Sequence, residues 1–410
     1  MSFLMLFLFY LSLSFAITIE EAVEIAKKQA NQIKLSEIEI KKAEEQLRKA
    51  KANILPQVSL SYSYNYLGQD LALGATPNNR HTAVFQINQT VFDKTIFELI
   101  KSANIQRELQ ILLKEDVERT LEYEVKDLFY ALLYRKTLIS LYEENLQYWQ
   151  ANYKTVEAKF NAGIVPKVEL LRALSQLQQA KAQLEQAKGE YLQALEELKS
   201  LLRLEKLSDP EGILEMRQVE LDQEKLFQAL LEKNSTLRAS RKAVELAEKN
   251  VELKKAQYYP TLSASASYQA FTGRKDLRGN TEWLSGYSFG ISLNYRLFDG
   301  FSRKADVSLA ELELLKQREN HLQLEYNLKA TLNKVLISLN SITSQINAVK
   351  ASLETAQEAL RLSTERYRLG IASQLEMLES RANYNNLLAT YYFLLYQQNS
   401  TLALLERLVK

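Results

Sequence analysis

The residue types that usually carry covalent or metal chemistry are scarce in this chain. It contains two histidines, His81 and His321, and no cysteine. The lack of cysteine excludes disulfides, thiol catalysis and thiolate metal sites, and two histidines alone give no recurrent zinc cluster. His81 falls in a predicted loop and His321 in a long predicted helix, so we interpret both as incidental.

The remaining candidates for catalysis are carboxylates. Glu and Asp are scattered in pairs along predicted helices, a pattern typical of solvated helix faces. The sequence contains neither a phosphate-cradling glycine-rich loop nor a nucleophile elbow. We therefore predict that the chain is not an enzyme, and we expect no cofactor, no metal and no catalytic residue.

The net charge bears on the kind of partner, and the low content of glycine and proline bears on the secondary structure. Lys+Arg 52 against Asp+Glu 50 leaves a net charge of +2, so nothing electrostatic favours a nucleic-acid partner. Only 11 glycines and 5 prolines occur in 410 residues, and Leu, Ala, Glu, Lys and Gln are abundant. This composition predicts long helices.

The N-terminal residues are apolar and uncharged. Residues 1–16 are too few for a spanning helix, which needs about 20, and they end in Ser14-Phe15-Ala16, which fits a small-residue cleavage site. We predict a cleaved export signal over 1–16; an uncleaved apolar anchor is the alternative. Without cysteine, no lipid-modified N-terminus can form.

Three landmarks occur twice, in the same order. Their period of about two hundred residues is far longer than a solenoid repeat, so the pattern indicates a duplicated unit. Pro56 recurs as Pro260, 204 residues later. Asp93 recurs as Asp299 after 206 residues, and Gly163 recurs as Gly370 after 207 residues.

After each landmark proline the hydrophobic period changes to two. The alternation runs over 58–66, 83–91, 262–269 and 287–296, each about the length of a strand in an outer-membrane barrel. Half-buried strands of a soluble sheet alternate identically, so both readings stay open. Serine-rich inner faces and tyrosine-rich outer faces favour the barrel.

Four strands cannot close a membrane barrel, since the smallest have about eight. Open sheet edges are not tolerated in lipid because their backbone groups lack partners. If this sheet lies in a membrane, several chains must share it, and three chains would supply twelve strands.

The rest of each half predicts helices. Residues 94–160 contain no Gly or Pro, and a helix of that length would span about 100 Å. Residues 167–203 carry five heptads with Leu or Tyr at one seam position and mostly Ala at the other, as in a coiled coil. The other predicted helices cover 19–54, 224–258, 301–368 and 374–408. The last of them carries a similar seven-residue seam, broken by Gln398, at Met377, Tyr384, Tyr391 and Leu405.

These elements define the predicted organisation. The first structural repeat covers 17–203 (helix, β-hairpin, long helix, helix), a linker covers 204–223 and the second repeat covers 224–410. The strand-bearing segments are 57–92 and 261–298. The two shorter helices of each repeat together match the long one, so we expect a rod of antiparallel helices with the sheet at one end and two turns at the other.

The ordered landmarks resemble those of a TolC-like outer-membrane factor over essentially all of the mature chain. The resemblance rests on the duplication, on Val91-Phe92-Asp93 and Leu297-Phe298-Asp299 after the strands, and on the turns at Gly163 and Gly370. It implies a mainly α fold, in which long antiparallel helices form a periplasmic α-barrel. Four strands per chain would contribute to a 12-stranded trimeric β-barrel in the outer membrane.

The resemblance implies a function and partners as well. The chain would be the trimeric exit duct of a tripartite efflux pump or a type I secretion system, located in the outer membrane with a periplasmic extension. Its expected partners are two further copies, a periplasmic adaptor, an inner-membrane transporter reached through that adaptor, and outer-membrane lipid. The alternative is a periplasmic coiled-coil adaptor or scaffold, and a trimeric surface adhesin is a weaker option.

Site residues follow from the resemblance position by position. Glu376 and Glu379 fall on the family's acidic gate, although alone they would be ordinary solvated helix residues. Tyr367 and Glu169 fall on its closed-state lock, whose arginine position is Ala372 here, a departure. The adaptor-docking turns are Phe160, Asn161, Gly163, Ile164, Val165, Arg368, Gly370 and Ile371. The helix–strand transitions are Pro56, Pro260, Asp93 and Asp299.

Overall fold

The structure is a computed structural model that describes residues 17–69, 76–207, 209–218, 222–274 and 280–410. The predicted export signal, 1–16, lies outside the described residues, as do parts of the linker and of the two hairpin loops. The helices are α1 (Ile19–Gln29), α2 (Asn31–Ala52), α3 (Lys94–Asn161), α4 (Lys167–Leu202), α5 (Gln223–Lys233), α6 (Ser235–Ala256), α7 (Ser302–Arg368) and α8 (Gln374–Val409). The strands are β1 (Gln57–Tyr66), β2 (Asn79–Phe92), β3 (Thr261–Arg274) and β4 (Thr281–Asn294).

The strands form one antiparallel sheet in the order β1-β2-β3-β4. Tyr64 pairs with His81 and Phe85 pairs with Tyr268, which in turn pairs with Tyr287. The predicted runs of about ten residues are too short for β2, β3 and β4, which each have 14 residues. Polar ends such as Asn79 pair in the ladder, although they break the apolar alternation.

The two shorter helices that precede the strands are each interrupted. The single helices predicted over 19–54 and 224–258 are wrong, because the chain leaves the helical region at Ala30 (ψ 139°) and at Asn234 (ψ 121°). Asn234 is buried, and its side-chain amide donates to the carbonyl oxygen of Leu408 at 3.0 Å. A tertiary contact therefore accompanies the second break, 204 residues after the first.

The described chain divides into two compact units. One comprises the described parts of Met1–Leu35, Lys114–Ser235 and Glu325–Lys410, and the other comprises Ser36–Leu113 and Thr236–Leu324. Each unit therefore takes segments from both copies of the repeat. All four strands of the sheet lie in the second unit, Ser36–Leu113 with Thr236–Leu324. We call them the turn unit and the sheet unit.

The core of the turn unit follows the heptads of α4. Ala173, Leu177, Leu184, Tyr191 and Leu198 are all buried on this helix. Tyr191 and Leu198 belong to one apolar cluster and Leu177 to another, and both clusters also include side chains from α3 and α8. The small residues at alternate seam positions let neighbouring helices approach closely.

One polar residue interrupts the corresponding seam of α8. Gln398 is buried, its Oε1 accepts from the backbone N–H of Arg217 at 3.0 Å, and its Nε2 donates to the hydroxyl of Thr343 at 3.1 Å. The amide is satisfied on both sides, so it costs far less than an unpartnered polar group in the same place.

Candidate functional site

The turn between α3 and α4 ends the first long helix with a left-handed glycine. Gly163 has φ +72°, a conformation in which a Cβ is strained. Its N–H donates to the carbonyl of Phe160 at 2.9 Å, and the N–H of Ile164 donates to the carbonyl of Lys159 at 2.9 Å. These two bonds define a Schellman motif.

The turn between α7 and α8 has the same backbone. Gly370 has φ +75°, its N–H donates to Tyr367 O at 3.0 Å, and the N–H of Ile371 donates to Arg366 O at 2.9 Å. The N–H of Ala372 also donates to Arg366 O, at 3.2 Å. The carbonyl of Arg366 is thus the main acceptor of this turn.

The predicted docking residues lie on these two turns with different exposure. Ile164 is 70% and Ile371 is 67% exposed. The glycines, Asn161 and Arg368 are also exposed, whereas Phe160 and Val165 are half-buried.

The predicted gate glutamates follow the turn at Gly370: Glu376 lies in the first turn of α8, and Glu379 lies one helical turn further on. Glu376 is half-buried, its backbone N–H donates to the hydroxyl of Ser373 at 3.2 Å, and its Oε1 accepts from Nη1 of Arg366 at 2.5 Å. Glu379 is exposed, and its side chain makes neither a hydrogen bond nor an ion pair to another described residue. The structure therefore gives the two carboxylates different environments.

The predicted lock residues approach each other without bonding. Tyr367 is half-buried, and Nζ of Lys159 lies 5.5 Å from the centre of its ring. Burial, together with the nearby Glu169 carboxylate and Tyr148, raises the pKa of Tyr367. Within the described chain its hydroxyl makes no hydrogen bond to Glu169, so their role as a lock stays a prediction.

Above the second turn lies a cluster that the sequence did not reveal. The hydroxyl of Tyr148 lies 2.8 Å from the sulfur of Met377, and the guanidinium of Arg381 lies 3.3 Å from the centre of the Tyr148 ring. Trp149 packs edge-on against Tyr148 at 5.1 Å. The only sequence signal was the placement of Met377 on the predicted seam.

Three side chains of the turn unit have a buried polar atom without a hydrogen-bond partner among the described residues: Oδ1 of Asn152, both amide atoms of Gln374 and Nε of Arg381. Gln374 is 4% exposed, and neither its Nε2 nor its Oε1 has a hydrogen-bond partner. Nε of Arg381 also lacks one, and burial lowers the pKa of this guanidinium. Such groups cost free energy when they are left unpaired.

In the sheet unit, the two faces of the sheet differ in chemistry. On one face Tyr287, Phe289 and Ile291 of β4 are 78%, 78% and 79% exposed. On the other face Ser263 and Ser267 of β3 form hydroxyl–hydroxyl bonds with serines of β4, at 2.7 and 2.9 Å. The alternation read in the sequence therefore separates an apolar exposed face from a polar one.

The predicted helix–strand transitions have repeated backbone geometry. After α2 the N–H groups of residues 53–55 bond three residues back, and after α6 those of residues 257–259 do the same. Pro56 and Pro260 then immediately precede β1 and β3. Proline suits these positions because they need no N–H donor for the ladder.

The two aspartates after the strands cap helices differently. Asp93 Oδ1 accepts from the N–H of Thr95 at 2.8 Å, whereas Asp299 Oδ2 accepts from both the N–H and Nε of Arg303, at 3.1 and 2.6 Å. Arg303 is buried and also donates to the carbonyl of Arg296 at 2.8 Å. The second transition is therefore held by a side chain that the first lacks.

Across the described ranges, no three His, Cys, Asp or Glu side chains are grouped as a metal ion would need. The loop predicted around His81 is wrong, because His81 lies in β2, where its Nδ1 is 2.7 Å from the hydroxyl of Tyr62. His321 lies in α7, as predicted, and its Nδ1 is 3.1 Å from the hydroxyl of Ser240. Among the helices that the structure describes, none has the length and apolar character needed to cross a membrane.

Comparison with solved structures identifies the fold. CusC, whose structures are described in terms of transmembrane channel formation, superposes with a TM-score of 0.83 at 19% identity, covering 95% of this chain and 91% of CusC. The CmeC outer membrane channel of Campylobacter jejuni gives 0.81 at 18% identity, with 95% and 85% coverage. These matches confirm the predicted class of long antiparallel helices with a four-stranded sheet per chain.

Sequence comparison extends the likeness to a family. Outer membrane efflux protein BepC of Brucella suis biovar 1 (strain 1330) is 34% identical over 87 residues, which are 21% of this chain and 18% of BepC. The sequence profile of the outer membrane efflux proteins matches residues 22–202 and 226–409. Because these two segments cover most of both repeats, the chain belongs to the outer membrane efflux protein family.

Proposed function

We propose that this chain forms the outer-membrane exit duct of a tripartite efflux pump or a type I secretion system and conducts its substrates passively. The observation that carries the proposal is the sheet, whose exposed face presents Tyr287, Phe289 and Ile291. A large exposed apolar face needs an apolar medium, and alternating strands of this length supply it with lipid on one side and water on the other. In a periplasmic adaptor or scaffold, this apolar face would be exposed to water.

The edges of the sheet support a homotrimer. In the order β1-β2-β3-β4, the outer edges of β1 and β4 have no neighbouring strand within the described chain. Backbone groups at such edges cannot stay unpaired in lipid. Three copies would pair these edges and close a barrel of twelve strands.

The turns fit the role of a docking and gating end. We propose that Ile164 and Ile371, together with their neighbours on the two turns, contact a periplasmic adaptor, through which the duct reaches an inner-membrane transporter. Glu376 and Glu379 would line the constriction, and Tyr367 and Glu169 would restrain it when it is closed. The family is one of transport proteins, and we further propose that this member has no catalytic activity.

Conductance of the purified protein in planar bilayers tests the duct. We expect discrete channels from a species with three times the mass of one chain, recovered from the outer-membrane fraction. Recovery as a soluble periplasmic monomer without channel activity would refute the proposal.

A pair of substitutions separates docking from conduction. Ile371→Asp places a charge on the exposed second turn, and we expect it to abolish export in cells while bilayer conductance is retained. Ile213→Asp is the matched control, because Ile213 is 82% exposed and lies far along the chain from either turn. Equal loss of export in both variants would contradict docking at the turns.

A further inference from the structure

One of the two gate glutamates is paired within its own chain. Nη1 of Arg366 lies 2.5 Å from Oε1 of Glu376. Both ends of this pair have fixed backbones, since the carbonyl of Arg366 accepts the N–H groups that close the turn and the hydroxyl of Ser373 caps the N–H of Glu376. The pair therefore bridges the end of α7 and the start of α8.

The other charged residues at this turn differ in whether they form an ion pair. Arg368 pairs with Glu365 at 3.0 Å. Glu379 lies one helical turn beyond Glu376, is exposed and has no ion-pair partner in the part of the chain that the structure describes. Of the three carboxylates that residues 365–379 place at this turn, Glu365 and Glu376 each pair with an arginine and Glu379 does not.

We propose that Arg366 determines the ion selectivity of the constriction, by neutralising Glu376 and leaving Glu379 as the carboxylate whose charge acts on passing ions. This inference rests on the proposed duct function. In a trimer, Glu379 would form a ring of three uncompensated carboxylates, while the three Arg366–Glu376 pairs would add almost no net charge. A ring of carboxylates favours cations.

The test is the ratio of K⁺ to Cl⁻ permeability, obtained from reversal potentials of purified channels under a KCl gradient. Arg366→Gln should raise the ratio several-fold, because it releases a second carboxylate ring. Glu379→Gln should lower it several-fold. Glu376→Gln should also lower it, because Arg366 then keeps its charge without a partner.

The double variant Arg366→Gln with Glu376→Gln decides the proposal. If the two residues cancel each other, the double variant has the ratio of the wild type. If Arg366 is a bystander, Arg366→Gln leaves the wild-type ratio unchanged and the double variant keeps the lowered ratio of Glu376→Gln; either result would overturn the proposal. Should Arg366→Gln alone fail to assemble, the comparison of the double variant with Glu376→Gln still decides it.

Two controls accompany these variants. Arg361→Gln removes an exposed arginine of the same helix that pairs with Glu358 at 2.7 Å, and it should leave the ratio unchanged. Arg366→Lys retains the charge and should keep the wild-type ratio. Absence of any wild-type channel would refute the duct itself, whereas a wild-type channel that is insensitive to Arg366→Gln would refute only this inference.

Discussion

The two turns share a backbone but differ in the side chains that surround it. Gly163 and Gly370 have φ of +72° and +75° and close the same pair of hydrogen bonds. The helix that follows begins with Ser373 in the second turn, whose hydroxyl accepts from the N–H of Glu376, and with Pro166 in the first, which makes no side-chain cap. Duplication preserved the path of the chain, and divergence changed how each turn is held.

Charge shows the same divergence. Lys159 and Glu169 occupy the positions, 207 residues earlier, that correspond to Arg366 and Glu376. They form no ion pair with each other, and Lys159 lies over the ring of Tyr367 instead. A cation and a carboxylate at equivalent positions therefore form an ion pair only at the turn around Gly370. At the turn around Gly163, the ammonium of Lys159 interacts with the ring of Tyr367 instead.

The largest effect on stability is expected at Glu122, which belongs to an ion network in the turn unit. This network is less exposed than the residues of the two glycine turns. Burial alone would raise the pKa of Glu122, but hydrogen bonds from Lys27 and Lys126 outweigh it and lower that pKa from 4.5 to about 2. Glu122→Gln should cost about 2 kcal/mol of unfolding free energy, since it removes charge-assisted hydrogen bonds, and Glu376→Gln should cost far less. Thermal unfolding of the detergent-solubilised protein measures both, and equal costs would show that exposure does not separate the two sites.

The same network predicts a pH dependence. Because the folded pKa of Glu122 is depressed, its contribution is complete above the unfolded value of 4.5 and is lost as pH falls toward about 2. Glu122→Gln should flatten the loss of stability between these two pH values. An unchanged slope in the variant would mean that other carboxylates cause the acid sensitivity.

The shared backbone predicts equal costs at the two glycines. Neither glycine has another group within 4 Å of an added Cβ, so Gly163→Ala and Gly370→Ala should each cost about 1 kcal/mol through backbone strain alone. Gly189→Ala is the control, since Gly189 lies inside α4 with equally open space and should gain about 0.5–1 kcal/mol. Unequal costs at the two turns would break the comparison.

The difference in capping predicts an asymmetric response. Ser373→Ala should destabilise the protein by about 1 kcal/mol, because the N–H of Glu376 loses its acceptor. Pro166→Ala removes no side-chain acceptor and should have a smaller effect on the unfolding midpoint. A larger loss from Pro166→Ala would show that rigidity, and not capping, holds the start of these helices.

The smallest effect is expected from the pairs themselves. A double-mutant cycle on Arg366 and Glu376 should give a coupling energy of about 0.5 kcal/mol, typical of an exposed pair. The side chains of the two residues are 52% and 41% exposed. The same cycle on Lys159 and Glu169 should give no coupling within error, and a coupling there would show that the first turn is also bridged.

Several features could be predicted because they depend on local sequence. The long helices predicted over 94–160 and 301–368 end within one or two residues of α3 and α7, because the absence of breakers and the terminal glycines fix those bounds locally. The positions of Glu376 and Glu379 after the turn followed from counting along one helix. The helix breaks at Ala30 and Asn234 could not be predicted, because no Gly or Pro marks them.

The site was predicted less completely than the fold. Residues 366 and 376 lie ten apart on two different helices, so only the geometry of the turn brings their side chains together. Likewise, Tyr148 and Arg381 come from distant parts of the chain. No sequence periodicity connects such residues. Similarly, the sequence shows that Gln398 interrupts the seam, but only the fold brings Arg217 and Thr343 close enough to satisfy its side-chain amide.

The sequence by itself determined the duplication, the long helices, the two-faced strands and the glycine turns, because each depends on residues close together in the chain. The tertiary structure alone decided which of the two predicted gate glutamates pairs with an arginine, where the shorter helices break and which side chains stabilise each transition. Those outcomes depend on the distance between side chains that folding brings together, and electrostatic and hydrogen-bond energies fall steeply with that distance.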